Sequence, residues 1–145
     1  MPKVVKSTII DAPVDRVWAV LRDFNGHDRW HPAVATSAIE RGALSDKVGC
    51  VRRFRLKDGA ELREQLLTLS DLEQTFSNCL LDTPVPLFNY VAHVRLLPVT
   101  DGDRTFWSWE CRFTTRAGED AAMTRMVSED IYQAGFDAIR QHLAA

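Results

Sequence analysis

The reading that decides the fold is that of the last stretch, GEDAAMTRMVSEDIYQAGFDAIRQHLAA, residues 118–145. Met123, Val127, Ile131, Ala134 and Ala138 recur at steps of three or four, with Met126 and Ile139 at the edges of the stripe. Glu119, Arg125, Glu129, Gln133, Asp137 and Arg140 take the opposite face. Gly118 precedes the acidic pair Glu119-Asp120, which suits the positive end of a helix dipole. The pattern predicts one long amphipathic helix over 118–145. Gly135 in its middle costs about 1 kcal/mol relative to alanine. It reads either as tolerated weakness or as a point where the backbone closely approaches a sheet or a ligand. Met123 and Met126 are soft and polarizable, as an adaptable pocket wall would be.

A helix of this kind must bury its stripe, and the rest of the chain reads mainly as strands. Residues 3–10 form a first one. Asp11 can cap a helix and Pro13 suits its first turn, with Val14, Val17, Trp18 and Leu21 as an apolar face. Residues 27–31 suggest a second helical turn, stopped at Pro32. Six strands follow at 36–40, 48–56, 60–70, 73–81, 90–97 and 104–115. Lys57-Asp58-Gly59 suggests a hairpin loop with Gly59 left-handed, which sets Phe54 opposite Leu62, Arg52 opposite Glu64 and Cys50 opposite Leu66. The order is β-αα-β6-α. Short turns between successive strands imply an antiparallel sheet, and segregated strands and helices imply an α+β class. A long helix gripped by a curved sheet leaves space between them, so a pocket is expected.

Composition bounds the function. At 145 residues the chain has the size of one domain, 1–145, able to bury a real core. A formal net charge of -2 gives no basis for nucleic-acid binding, and no apolar run suits a signal peptide or a membrane span. A cytoplasmic protein without stable membrane insertion is expected. Cys50, Cys79 and Cys111 are an odd number without paired spacing and read as reduced thiols. The four histidines show no ligand spacing with acids or cysteines, so no metal is expected. No phosphate-binding glycine loop or G-x-S-x-G elbow appears, and no cofactor is expected.

Local wording carries a resemblance over nearly the whole chain. Asp-Ala-Pro-Val-Asp-Arg-Val-Trp at 11–18, Asp23-Phe24, Trp30-His31-Pro32, Val48-Gly49 with Arg52, Asp58-Gly59, Glu64, Asn89-Tyr90 and Trp107 stand in the order seen in the START-like (SRPBCC) superfamily. The set resembles its bacterial polyketide cyclase/dehydrase and lipid-transport branch. The resemblance implies a helix-grip fold, in which a seven-stranded antiparallel sheet curves around the C-terminal helix. It also implies a cavity for a small apolar molecule such as a lipid, a polyketide or an aromatic compound. It transfers no activity, because the superfamily mixes carriers, receptors and cyclases.

Strand alternation places Phe54, Leu62, Phe76, Asn78, Tyr90, Ala92, Trp107 and Trp109 on the inner face. With Met123, Val127 and Ile131 from the helix they form the expected ligand-binding wall. Arg52 and Glu64 are the polar pair within it. Facing inward they must bridge, since an isolated buried charge is costly. Such a pair either locks the register, anchors a ligand through Arg52, or supplies a general base through Glu64. His31, near the expected mouth, is the other acid–base candidate or else holds a loop. His93 and His142 are expected to face outward. Loop 83–89, with two prolines and apolar Val85, Leu87 and Phe88, reads as a lid or rim, or as a contact with the short helices or a second subunit of a homodimer.

Two functions are compatible with these residues. The first is non-catalytic binding or carriage of a small hydrophobic molecule. The second is a cofactor-independent cyclase, aromatase or dehydratase using Glu64 or His31 as the proton-transfer group. An interaction module with a vestigial pocket is a third reading.

Overall fold

The computed structural model describes residues 1–144. Strand β1 (Lys3–Ile10) leads into α1 (Val14–Leu21) and a 3-10 turn at His27–Arg29. Strands β2 (Val34–Ile39), β3 (Val51–Leu56), β4 (Glu61–Ser70), β5 (Thr75–Asp82), β6 (Phe88–Val99) and β7 (Arg104–Thr114) follow. The C-terminal helix begins as α2 (Asp120–Arg125), widens to π geometry over Met126–Gln133, and ends as α3 (Ala134–Ala144). All seven strands form one antiparallel sheet in the order β1-β7-β6-β5-β4-β3-β2. The sheet curves around the helix, as an α+β helix-grip fold requires.

The β3–β4 hairpin has the expected register. Arg52 pairs with Glu64 and Phe54 with Leu62, and Leu66 N–H donates to the Cys50 carbonyl at 3.0 Å. Gly59 holds φ +92°, a conformation that favours a residue without Cβ. Bulges interrupt β4–β5 pairing between Arg63 and Glu64 and between Leu66 and Thr68. Each bulge bends its strand and sharpens the twist beside Glu64 and Leu66. At α1 the expected cap is corrected: Pro13 occupies the N-cap position and no side chain caps the helix.

The helix face differs from the α-helical reading. Val127, Tyr132, Gly135, Phe136 and Ile139 are its buried residues, whereas Met123, Ile131, Ala134 and Ala138 are only partly buried. The π segment is the reason. Its i→i+5 bonding brings residues five apart onto one side, so Val127 and Tyr132 share a face, as do Met126 and Ile131. Gly135 marks a close approach. A Cβ there would lie 2.9 Å from Trp109 Cζ3, closer than packed atoms sit.

Two buried clusters flank the middle of the sheet. In one, Phe136 and Ile139 pack on Ile10, Val17, Trp18, Leu21, Leu96 and Trp107. In the other, Val127 and Tyr132 pack on Val4, Tyr90, Ala92, Cys111 and Phe113. The three cysteines are free. Among the described residues no helix is long and apolar enough to cross a membrane.

Candidate ligand cavity

A cavity of about 240 Å³ lies between the inner face of the sheet and the π segment. An apolar cavity of about 150 Å³ already takes up benzene, so this one has room for more than a single ring. Strands β3 to β7 supply Arg52, Phe54, Leu56, Leu62, Glu64, Phe76, Asn78, Leu80, Tyr90, Val94, Trp107 and Trp109. The C-terminal helix adds Met126, Asp130 and Ile131, and the loop before β6 adds Thr83, Val85 and Leu87. The first crossover closes the remaining side with Leu21, Asp23, His27, Trp30, His31, Ala33 and Val34.

Most residues singled out from sequence reach this wall, but Ala92, Met123 and Val127 do not and are corrected. Ala92 and Val127 are buried in the cluster around Tyr132, and Met123 packs against that cluster. Ala92 points inward as alternation requires, but inward there means core. The two helix residues were misplaced because the stripe was projected on an α-helix. Loop 83–89 brings Thr83, Val85 and Leu87 to the cavity; Leu87 is buried, Val85 is partly buried and Phe88 is exposed.

The polar end is closely knit. Arg52 donates from Nε and Nη2 to Glu64 Oε1 at 3.1 and 2.7 Å, and from Nη1 to the Phe24 carbonyl at 2.6 Å. Asn78 Nδ2 donates to the other carboxylate oxygen at 2.8 Å. The guanidinium also lies over the Phe24 ring, 4.0 Å from its centroid. The side chains of Arg52 and Glu64 are only 12% and 10% exposed. Two charges so deep require mutual pairing with further hydrogen bonds, and these bonds provide it. These bonds occupy three of the roughly four acceptor sites of the carboxylate.

His31 is similarly engaged. Its Nε2 lies 3.0 Å from the Ile131 carbonyl, and Ala33 N–H donates to Nδ1 at 3.2 Å. This fits a neutral ring with its proton on Nε2, joining the first crossover to the π segment. Burial is the main force holding its pKa below the ordinary value. Tyr90 and Tyr132 share a buried hydroxyl–hydroxyl bond of 2.7 Å, and burial raises both phenols well above their ordinary range.

His27 was read from sequence only as the start of a turn, yet it is the least satisfied polar group at the cavity. It is 7% exposed, and neither ring nitrogen finds a partner among the described residues. Burial first, then the positive charge of Arg52, holds its pKa well below the ordinary value. The ring is therefore neutral near pH 7, with one donor and one acceptor nitrogen. The indole N–H groups of Trp30 and Trp107 are also buried without partners among the described residues. Alternation places Trp107 on the inner face and the resemblance includes Trp30, but the lack of partners at these three residues arises only from tertiary packing. Among the described residues no cluster of three or more His, Cys, Asp or Glu could hold a metal ion.

This architecture has a family. The family model described as "Polyketide cyclase / dehydrase and lipid transport" matches residues 1–144. The chain belongs to that family. No curated protein matches it, but similar solved structures share its fold. An uncharacterized protein from Bacillus thuringiensis superposes with TM-score 0.88 at 24% identity, covering 99% of this chain and 100% of the other. The Zhui aromatase/cyclase from Streptomyces sp. R1128 gives TM-score 0.81 at 19% identity, covering 99% and 93%. A START superfamily protein from Mycobacterium smegmatis gives 0.80 at 11% identity, covering 98% and 97%. At these identities the likeness is one of fold, and family membership rests on the match over the chain.

Proposed function

We propose that this polyketide cyclase/dehydrase and lipid-transport family member binds and carries one small hydrophobic molecule, without chemical conversion. The observation that carries this reading is the pairing of an apolar, aromatic wall with polar groups that are already committed. Glu64 is held by Arg52 and Asn78, and both nitrogens of His31 are engaged. Burial of the ligand's apolar body would supply the affinity. Phe54, Leu62, Phe76, Trp107, Trp109 and Ile131 would form its contact surface.

Native mass spectrometry of gently purified protein, followed by denaturing extraction, tests the reading. The expected result is a retained apolar molecule, or uptake of an added one at one-to-one stoichiometry. Protein that takes up no apolar compound at any tested concentration would sink it.

One observation favours a second reading, a cofactor-independent cyclase or dehydratase. His27 presents two uncommitted ring nitrogens at the cavity, as a proton-transfer group needs, and the Zhui neighbour is described as an aromatase/cyclase. On that reading His27→Gln abolishes turnover of a poly-ketone substrate. Unchanged turnover in that variant would remove His27 from the role.

A further inference from the structure

The unpartnered polar groups of the cavity come from the first crossover and from β7. His27 begins the 3-10 turn at His27–Arg29 and meets Phe54 edge-on, with ring centroids 4.8 Å apart, while Trp30 follows the turn in a non-helical conformation. Trp30 in turn meets Trp107 edge-on, with ring centroids 6.5 Å apart. All three line the cavity, and all three carry nitrogen atoms with no partner among the described residues. Trp107 is fully buried and His27 is 7% exposed. Leaving buried donors unsatisfied is costly, and this chain does so at three residues that line one cavity.

The charges near the cavity are, by contrast, closed. Arg52 is matched by Glu64 at 2.7 Å, and Asp23 by Arg29 at 2.6 Å. Asp130, the other charged lining residue, is exposed and negative. No cation is left over to receive an anion. The rest of the lining is rich in aromatic side chains, with Trp107 stacked on Trp109 at 5.5 Å and Trp109 held from behind by Tyr132 at 4.0 Å.

Resting on the binding function above, we propose that His27, Trp30 and Trp107 form a donor wall selecting an apolar ligand with an uncharged oxygen acceptor, such as an aromatic ketone, over its carboxylate counterpart. An indole N–H donates and cannot accept, so Trp30 and Trp107 can serve only an acceptor. A carboxylate would meet the same donors, but it would be desolvated without a free countercharge. Neutral His27 supplies a further N–H, because burial keeps it unprotonated near pH 7.

The test uses three probes of one shape: naphthalene, 2-acetylnaphthalene and 2-naphthoate. Each is titrated into the full chain at about pH 7.5, with protein-observed NMR shifts giving both affinity and location. Naphthalene shifting resonances of the cavity wall supports the underlying binding function, and its failure to bind there would overturn that function itself. The donor wall predicts that 2-acetylnaphthalene binds about tenfold or more tighter than naphthalene, the worth of one or two satisfied hydrogen bonds, and that 2-naphthoate binds weakest. Equal binding of naphthalene and the ketone, or tightest binding of the carboxylate, would overturn the donor wall while leaving the binding function intact. Trp30→Phe, at a half-buried position, should erase most of the ketone's advantage and leave naphthalene binding within about twofold. Equal losses for both probes would reduce Trp30 to a packing role. The wild-type ranking decides the proposal even where a variant fails to fold.

Discussion

Beneath α3, Phe136 and Ile139 reach down onto Ile10, Leu96 and Trp107, and that half of the sheet–helix interface is solid. Beneath the π segment, the same alternating strands present Phe54, Leu62 and Phe76 to a cavity of about 240 Å³. Both halves have apolar inner faces, so strand composition does not separate them. The covering element does. Large side chains at Phe136 and Ile139 fill the gap on one side. On the other, the bulged strand β4 bends away, and the widened helix turns Tyr132 toward the cluster on Tyr90 and Cys111. Hollowness is thus a property of how the layers meet.

Truncation should break this contrast most visibly. Phe136→Ala, in the solid half, is expected to cost about 4 kcal/mol, because it opens a void among side chains that cannot collapse into it. Leu62→Ala, which enlarges a space already present, should cost only about 2 kcal/mol. Urea unfolding of the two variants measures the gap, and equal losses would mean that the halves are equally packed.

The hollow half also depends on its polar brace. Arg52→Ala leaves Glu64 buried with Asn78 as its remaining partner, and the expected loss is about 3 kcal/mol. Combining it with Glu64→Leu should recover most of that loss in the same unfolding measurement, since the orphaned charge is then gone. No recovery would show that Arg52 acts mainly by packing on Phe24 and Phe54.

Acid should weaken the hollow half next. Unfolded, His27 and His31 titrate near their ordinary value of 6.5, and folding holds both below it. Between the folded and unfolded values the unfolded chain binds protons that the folded chain refuses. The stability is therefore complete above 6.5 and falls as pH drops below it. The urea midpoint should decline from about pH 7.5 to 5.5, and His27→Phe should flatten that slope. An unchanged slope in His27→Phe would assign the decline to other groups.

The smallest effect belongs to the tyrosine pair beside the cavity. Tyr90→Phe removes the hydroxyl bond to Tyr132 and should cost about 1 kcal/mol, while replacing both tyrosines should cost less than twice that, because no lone hydroxyl is then left unpaired. A double-mutant cycle in urea measures the coupling, and simple additivity would deny it.

The sequence made the frame legible because strand alternation and turn chemistry are local. Lys57-Asp58-Gly59 sufficed to pair Arg52 with Glu64, and the pairing is as expected. The helix face was not legible, since a departure from α geometry leaves no mark in a pattern read at α spacing. Tyr132 and Phe136 were therefore passed over, and Met123 and Val127 were assigned to the cavity. His27 was missed for a different reason: its significance is the partners it lacks, which no local pattern contains. Gly135 was half legible. Its cost was plain, but its neighbour Trp109 emerged only with the packed sheet.

The π segment also bears on the order of assembly. Before the sheet exists nothing compels Met126–Gln133 to widen, and an α-helix over this stretch would offer Met123, Val127, Ile131, Ala134 and Ala138 as its sticky side. The finished sheet receives another set, Val127, Tyr132, Phe136 and Ile139. Helices owe most of their stability to the surface they pack on rather than to their own propensity. The π coil and the cavity beneath it therefore belong to the packed pair of sheet and helix, and not to the helix alone.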